Sequence, residues 1–477
     1  MGDPASPLAF LIYISDFNTT PHADDVILNG VPVSHLEHAD DVVLFSTSEA
    51  GLQSKLDDLA AWASLNQMQV NLQKTVIMAF PRPYARTQLQ KPQLYLYGQV
   101  LTISQKQAYV GVTFSTESSN LWDAHIRLCE KRARLAANKI LFIESHVGSL
   151  PPWEGRLLYR SQIDPHLTWA CEVTGCGTLK QLDRIEDVQH YFLRRLLGLQ
   201  SRSQLCVLFS ELDISPLRFR RLELQLRYTQ HLLSLPADHL ARCALDQAVV
   251  NARSRAHSWY AQLRSTCTAR ELQLSDAPTE VEIEDALSNL SDRVRQYVAT
   301  AINSSAKLDL LQARRDFSTG RPRPVPVMQF RPYLRIASTE LRHAVTRLLL
   351  SEHSLSVERL RWRDGRPYDI PREARLCRFC RTAVEEPLHC LFHCRSSQDL
   401  CTARKAFWSS LTRKLPSHWS LPDLRNLDAE DLFHLLLSVP TTVDILAALC
   451  ARVMNIYETH PRFIPSLDDI ADLSEDS

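Results

Sequence analysis

The tetrapeptide His38-Ala39-Asp40-Asp41 lies between two strand-like segments, residues 31–36 before it and residues 42–45 after it. This pattern predicts a β-hairpin with two adjacent carboxylates at its tip. Charged carboxylates at the tip of a buried hairpin are destabilising unless a partner compensates them. The usual partner is a hard divalent cation such as Mg²⁺, which takes carboxylate and phosphate oxygens together. A lone Asp-Asp pair is more often a solvated turn, so the neighbouring motifs decide between these interpretations.

Three further motifs accompany the Asp pair in a fixed order along the chain. They are Gly2-Asp3-Pro4-Ala5-Ser6-Pro7, Asn71-Leu72-Gln73-Lys74-Thr75 and Tyr109-Val110-Gly111-Val112. With the Asp pair, these motifs resemble the palm of a reverse transcriptase from a non-long-terminal-repeat retrotransposon. The resemblance implies an RNA-directed DNA polymerase, a nucleotidyltransferase that uses Mg²⁺, an RNA template and a DNA primer or target.

The resemblance also assigns roles to individual residues. Asp40 and Asp41 are expected to bind Mg²⁺, and Lys74 is expected to give a proton or positive charge to the leaving pyrophosphate. The residues expected to contact template, incoming nucleotide or primer are Gly2, Asp3, Pro4, Ser6, Tyr109 and Gly111. His38 stands where the family usually has an aromatic residue.

A complete enzyme of this family has a third metal-binding carboxylate, in a strand upstream of the glycine-aspartate-proline motif. Because that motif begins here at Gly2, the third carboxylate and the fingers are missing from the sequence. We therefore expect a polymerase fragment, truncated at the N-terminus and inactive alone. The alternative is a nucleic-acid-binding remnant that acts through its basic helices and its cysteine-rich segment.

A second copy of the tetrapeptide, His22-Ala23-Asp24-Asp25, needs a separate interpretation. Turn-forming residues 18–21 precede it, so no strand is available for the first arm of a hairpin. It leads instead into Asn29-Gly30, a favoured two-residue hairpin turn. Asp24 and Asp25 are accordingly predicted to lie at the exposed start of that hairpin.

Hydrophobic periodicity predicts an α+β fold whose helical share grows after residue 116. An apolar segment, residues 8–17, is predicted to be a buried helix. Later helices are predicted at residues 125–143, 156–170, 179–197, 216–233, 238–256, 280–301 and 339–350. The predicted domains are a partial palm with an antiparallel sheet (1–116), a helical thumb-like domain (117–260), a helix with a Pro-rich linker (261–335), an Arg-rich helix with a zinc segment (336–415) and a helical C-terminus with an acidic tail (416–477).

The charge balance is formally zero, but its distribution is uneven. Residues 331–381 hold 12 arginines against 6 acidic residues, a net charge of +6. The arginines expected to contact phosphates in this stretch are Arg359, Arg361, Arg363, Arg366, Arg372 and Arg375. In the thumb-like domain, Arg194, Arg195, Arg218, Arg220 and Arg221 either contact phosphates or form ordinary solvated helix faces.

The cysteine-rich segment has the spacing Cys-x2-Cys-x8-His-x4-Cys, formed by Cys377, Cys380, His389 and Cys394. Four such ligands suit structural Zn²⁺ with tetrahedral geometry, and Cys390 and His393 are alternatives within the last pair. The other interpretation is a cluster of reduced core cysteines. If Zn²⁺ binds, we expect it to fold this segment independently, in a fragment of residues 331–415.

The signal and hydropathy patterns of the sequence predict the cellular compartment. It has no secretory signal and no membrane-length apolar run, so a reducing compartment, the cytoplasm or the nucleus, is expected.

Overall fold

The computed structural model describes residues 5–80, 92–118, 120–254, 258–319, 321–414, 419 and 421–470. It has the predicted α+β composition, with the strands concentrated before residue 116. The strands are β1 (Val26–Leu28), β2 (Val31–Val33), β3 (His35–His38), β4 (Asp41–Leu44), β5 (Val76–Ile77), β6 (Tyr95–Leu96), β7 (Gln99–Val100), β8 (Thr102–Ile103), β9 (Lys106–Tyr109), β10 (Val112–Ser115), β11 (Arg315–Asp316) and β12 (Arg323–Pro324).

Helices dominate the rest of the described chain. They are α1 (Ala5–Ile14), α2 (Glu49–Leu65), α3 (Asp123–Val147), α4 (Pro152–Leu158), α5 (Asp164–Thr168), α6 (Leu179–Leu197), α7 (Leu205–Leu212), α8 (Leu217–Ser234), α9 (Leu240–Arg253), α10 (Trp259–Thr268), α11 (Glu280–Asn303), α12 (Thr339–Leu349), α13 (Ser356–Arg359), α14 (Gln398–Lys414), α15 (Leu421–Asn426), α16 (Ala429–Ser438) and α17 (Pro440–Glu458). Single π-helical turns span Tyr159–Ile163 and His389–His393.

The strands of the described ranges pair only two at a time. Five ladders are antiparallel hairpin-type pairs, and β5 pairs with β8 in parallel. Two-residue turns close the β1–β2, β6–β7 and β9–β10 hairpins at Asn29-Gly30, Tyr97-Gly98 and Val110-Gly111, all with positive φ. Positive φ at both central residues matches the right-handed twist of the strands, which explains the glycine at each second position.

The chain forms two compact units. The first comprises the described parts of Met1–Arg132, Leu167–Ile185 and Arg218–Leu290. Its strand-rich part has a core in which Leu56 of α2 packs with four residues of the β5–β8 region, namely Ile77, Leu94, Leu96 and Leu101. Helix α2 is fixed at its start by Ser48, whose side chain accepts a hydrogen bond from the Gly51 N–H at 3.0 Å.

The predicted burial of the first helix is wrong for most of its length. In α1 only Ile14 is buried, while Leu8, Leu11 and Ile12 are 63%, 50% and 67% exposed. Apolar composition alone led to the prediction, but the described residues place no element over these side chains.

The second unit comprises Ala133–His166, Glu186–Leu217 and the described parts of Ser291–Ser477. Its helix α17 has ten buried residues and packs against α12, α14 and α16. The Pro-rich stretch predicted to be a linker is hydrogen-bonded within this unit, since the Val325 N–H donates to the Arg314 carbonyl at 3.1 Å. Just after the stretch, the Gln329 and Arg331 N–H groups donate to the carbonyls of Ser210 and Glu211 at 3.1 and 3.2 Å. Within the described ranges, no helix combines the length and the apolar character needed to cross a membrane.

Candidate active site and candidate metal centre

The two adjacent carboxylates lie at the tip of the β3–β4 hairpin, as predicted. His38 pairs with Asp41, so Ala39 and Asp40 form the turn. Ala39 has φ of 54°, a left-handed conformation that raises the energy of an L residue by about 1–2 kcal/mol. Such strain is found preferentially at functional sites.

The hairpin tip differs from the prediction in its burial. Asp40 and Asp41 are both exposed, and no described residue pairs with or hydrogen-bonds to either carboxylate. The desolvation energy expected for two charged carboxylates on a buried hairpin therefore does not arise for Asp40 and Asp41. The carboxylate oxygens point to no protein donor and are open to an external cation.

The Tyr109 hairpin lies close enough to the Asp pair to be affected by its charge. Burial raises the pKa of the Tyr109 hydroxyl, and the negative charge of Asp41 raises this pKa further. At the turn of this hairpin, the Trp169 indole N–H donates to the Gly111 carbonyl at 3.1 Å. A Cβ on Gly111 would lie 3.0 Å from the same ring, and the φ of Gly111 is +77°. Both the close contact and the backbone conformation therefore favour glycine at this position.

The asparagine-lysine motif forms a compact turn after α2. The Asn71 side-chain oxygen accepts from the N–H groups of Gln73 and Lys74 at 3.0 and 3.3 Å, and the Thr75 hydroxyl donates to the Asn71 carbonyl at 2.9 Å. Lys74 itself is exposed. The motif therefore fixes the backbone and leaves the ammonium group in solvent.

The first motif is described only in part. Ser6 is exposed on α1. Gly2, Asp3 and Pro4 lie outside the described residues.

The prediction for the second tetrapeptide is wrong at Asp25. This carboxylate is buried and forms a salt bridge with the fully buried Lys55 of α2. The hydrogen bond from Lys55 lowers the pKa of Asp25, and it outweighs the opposing effect of burial. Asp24 accepts a hydrogen bond from Ser48 at 2.5 Å, so this copy of the tetrapeptide anchors the start of α2. The ion pair joins positions 30 residues apart, which the local pattern did not reveal.

The four predicted cysteine and histidine ligands converge on one point. The ligand atoms of Cys377, Cys380, His389 and Cys394 all lie within 4.8 Å of one another. Cys377 and Cys394 have their sulfur atoms 3.7 Å apart, and Cys380 Sγ lies 3.4 Å from His389 Nε2. Of the two alternatives, Cys390 is fully buried and His393 is exposed. Three sulfurs and one imidazole form a donor set that suits a tetrahedral metal ion.

A buried ion pair holds the first ligand turn in place. Both oxygens of the fully buried Glu385 accept from Arg378, at 2.6 Å (Nη2) and 2.9 Å (Nε). Ser356 donates to the same carboxylate through its N–H and its hydroxyl at 2.7 and 2.8 Å. The remaining guanidinium nitrogen Nη1 of Arg378 donates to the carbonyls of Tyr457 and His460.

The end of α17 forms the other wall of the metal-ligand cluster. The Tyr457 hydroxyl lies 3.3 Å from Cys377 Sγ, and the Phe379 ring packs edge-on against Tyr457. Arg381 lies over the Phe463 ring at 4.8 Å. The predicted segment ended at residue 415 and missed these partners, because nothing in the local spacing indicates a helix that is about 80 residues away.

Most arginines expected to contact phosphates have partners within the protein. Arg363 pairs with Asp369 at 2.5 Å, and Arg372 pairs with both Asp309 and Glu386. Arg361 pairs with Glu358, while Arg366 and Arg375 donate to backbone carbonyls. Arg359 is exposed, and no described group pairs with it. In the thumb-like region, Arg221 is buried and donates to the carbonyls of Leu167 and Thr174, so its role is structural.

Comparison with known proteins defines the class to which the palm motifs belong. A family model described as reverse transcriptase (RNA-dependent DNA polymerase) matches residues 1–114. The match contains all four motifs, and it confirms the predicted resemblance of this region to reverse transcriptases.

One curated relative of this chain is the polymerase of a mobile element. The RNA-directed DNA polymerase from mobile element jockey of Drosophila melanogaster is 23% identical over 260 residues, which are 53% of this chain. The match spans 27% of that relative's length. The resemblance to a non-long-terminal-repeat reverse transcriptase is thereby confirmed.

Proposed function

We propose that residues 1–114 act as the palm part of an RNA-directed DNA polymerase, with Asp40 and Asp41 as the Mg²⁺ ligands. The exposed, unpaired carboxylates on a strained hairpin tip carry this proposal. Mg²⁺ held there would activate a primer 3′-hydroxyl and neutralise the pyrophosphate formed. RNA template and DNA primer or target are the proposed nucleic-acid partners, and the cytoplasm or the nucleus is the proposed location.

The other motif residues have supporting roles in this proposal. Lys74, exposed at a rigid turn, supplies positive charge or a proton to the leaving group. Tyr109 and Gly111 place their hairpin beside the primer terminus, and the influence of Asp41 on Tyr109 supports this arrangement. Template contacts are assigned to Gly2, Asp3, Pro4 and Ser6.

Two carboxylates are too few to position two Mg²⁺ ions for in-line displacement. The proposal therefore includes a further carboxylate outside the hairpin, and the 477-residue chain alone is expected to be inactive. Primer extension on an RNA template with Mg²⁺ or Mn²⁺ tests this, with no product expected. Template-directed extension that Asp40→Asn abolishes would contradict the proposed need for a further carboxylate.

The role of Lys74 is tested in an active polymerase, obtained by joining a reverse-transcriptase fingers segment that carries a further metal-binding carboxylate to the same chain. Lys74→Ala should then lower the rate of nucleotide incorporation far more than the affinity for template. Equal losses of rate and affinity would argue for a simple binding role.

A second candidate function, nucleic-acid binding through a structural zinc segment, is favoured by the converging ligand atoms. Cys377, Cys380, His389 and Cys394 would hold Zn²⁺, and the four positions leave none for substrate. Because Arg378 and Cys377 contact Tyr457 of α17, a fragment of residues 331–415 lacks these packing partners. The test therefore uses the full chain.

Elemental analysis of the full chain should find one Zn²⁺, lost in Cys377→Ser/Cys394→Ser. Cys401→Ser is the matched control, since Cys401 lies in the same region but outside the ligand cluster. RNA affinity should fall with loss of the metal. Undiminished RNA binding by the zinc-free variant would leave the segment a purely structural element.

A further inference from the structure

A second polar site lies in the second unit, which contains none of the four motifs that indicated a polymerase. A cavity of about 480 Å³ lies between the last turn of α7, the end of α11 and the Pro-rich residues 322–326. Its charged and hydroxyl lining groups are Ser210, Glu211, Arg314, Arg315, Arg323 and Arg331. Volumes of this size accommodate small ligands or a few groups of a polymer.

One buried carboxylate organises the inner wall of this cavity. Arg331 Nε donates to Glu211 Oε1 at 3.1 Å, and Arg314 donates to Oε2 at 3.0 Å. The Tyr333 hydroxyl donates to Oε2 at 2.7 Å and the Ser210 hydroxyl to Oε1 at 2.9 Å. Burial alone would raise the pKa of Glu211, but Arg331 and Arg314, followed by the two hydroxyls, lower it to about 2. The Glu211 carboxylate is therefore charged, and both of its oxygens accept hydrogen bonds from the protein.

The cavity lining retains an excess of positive charge after this pairing. Four arginines face one lining carboxylate. Arg315 binds Asp431, which lies outside the lining, at 2.9 and 3.0 Å. Arg323 lies opposite Asp316 in the β11–β12 ladder, but one oxygen of Asp316 is engaged by the Ser318 N–H at 2.7 Å. Even when both outer carboxylates are counted, four positive charges exceed three negative ones.

A pair of half-buried aromatic rings, Phe330 and Trp153, is connected to the cavity lining through the chain neighbours Phe330 and Arg331. Phe330 precedes Arg331 of the lining and packs edge-on against Trp153 at 5.1 Å. The exposed Arg335 lies 4.3 Å from the Trp153 ring centre and 5.3 Å from that of Phe330. An exposed arginine over an aromatic ring offers a surface on which a nucleobase can stack, and such stacking is typical of single-strand binding surfaces.

We propose that this arginine-lined cavity binds a backbone phosphate of single-stranded nucleic acid, with an adjacent base on the Arg335–Trp153 platform. The aromatic platform favours nucleic acid over other phosphate compounds as the ligand. The proposal rests on the proposed polymerase function and adds a nucleic-acid contact to it. The prolines at 322, 324 and 326 line the rim and restrict its backbone, so little ordering is needed on binding. Arg314 and Arg331 serve as the fixed inner wall, and the exposed Arg323 makes the direct contact.

Fluorescence anisotropy of the full chain with labelled oligo(U) RNA tests the site over about 50–200 mM salt. Arg323→Gln should weaken binding and reduce the slope of log K against log salt by about 0.7, the value for one phosphate contact on a single strand. Arg202→Gln, which removes another exposed arginine outside the lining, should leave affinity and slope unchanged. Ala299→Phe should also weaken RNA binding by filling the cavity, whereas Ala337→Phe on an exposed surface should not.

Competition with inorganic phosphate distinguishes a site for a nucleic-acid backbone phosphate from a site for a free small anion. In the proposed site it should compete with RNA at millimolar concentration, and Arg323→Gln should remove this competition. Equal RNA affinity and slope in Arg323→Gln, Ala299→Phe and the wild-type chain would overturn the proposal. Protection of the chain against thermal unfolding by phosphate, combined with RNA binding that neither substitution affects, would also overturn it in favour of a small-anion site. None of these results depends on primer extension, so a failure here is distinguishable from a failure of the polymerase proposal.

Discussion

Replacing Glu211 with glutamine should destabilise the second unit more than any single surface change. Arg331 and Arg314 would be left buried beside a neutral amide. Breaking a buried pair by removing one partner typically costs about 3–5 kcal/mol. The pKa gives an independent figure: the difference between 4.5 and about 2, at 1.36 kcal/mol per pH unit, amounts to about 3 kcal/mol.

The sign of the pH dependence follows from the direction of this pKa change. A carboxylate whose pKa is lowered by folding stabilises the protein above pH 4.5, and this contribution is lost as the pH falls towards 2. By pH 3, about 2 kcal/mol of it should be gone. The difference in stability between the wild-type chain and Glu211→Gln should therefore shrink by that amount between about pH 7 and pH 3.

Urea unfolding followed by tryptophan fluorescence measures this difference, with Glu458→Gln as the control. Glu458 is an exposed carboxylate of the same unit, so its replacement should have little effect at either pH. A Glu211→Gln chain as stable as the control at neutral pH, or a loss of stability that is the same at both pH values, would contradict the stabilising role of the Glu211 carboxylate.

Two substitutions test the first unit by the same unfolding measurement. Gly111→Ala should be more destabilising than Gly98→Ala, because both residues have positive φ but only at Gly111 would a Cβ meet the Trp169 ring; equal effects would argue against this contact. Lys55→Met should lower stability by about 3 kcal/mol, since it leaves the Asp25 carboxylate buried without its cation, and a loss as small as that of a surface lysine would contradict the buried pair.

Local patterns predicted local structure well. Helix α6 spans Leu179–Leu197 as predicted, because its apolar residues recur with helical period over the whole length. The Asp40 turn and the Asn29-Gly30 turn were predicted from neighbouring residues alone. The converging metal ligands were predicted because their spacing is itself the signal.

Contacts between distant positions were not predictable from these patterns. Arg221 looked like a solvated or phosphate-binding arginine, yet it caps carbonyls more than 45 residues away. Glu211 and Arg331 are 120 residues apart, and no local feature distinguishes either from a surface residue. The apolar sequence of α1 indicated burial, although burial depends on whether another element covers the helix.

Binding of Mn²⁺, a paramagnetic substitute for Mg²⁺, to the β3–β4 hairpin is followed by electron paramagnetic resonance and tests whether Asp40 and Asp41 are metal ligands. The wild-type chain should bind one more weak Mn²⁺ than Asp40→Asn/Asp41→Asn, because the two exposed carboxylates have no protein partner among the described residues. Asp24→Asn, in the structural copy of the tetrapeptide, should bind as the wild-type chain does. Identical Mn²⁺ binding by the wild-type chain and Asp40→Asn/Asp41→Asn would contradict the assignment of Asp40 and Asp41 as the metal ligands of a polymerase palm.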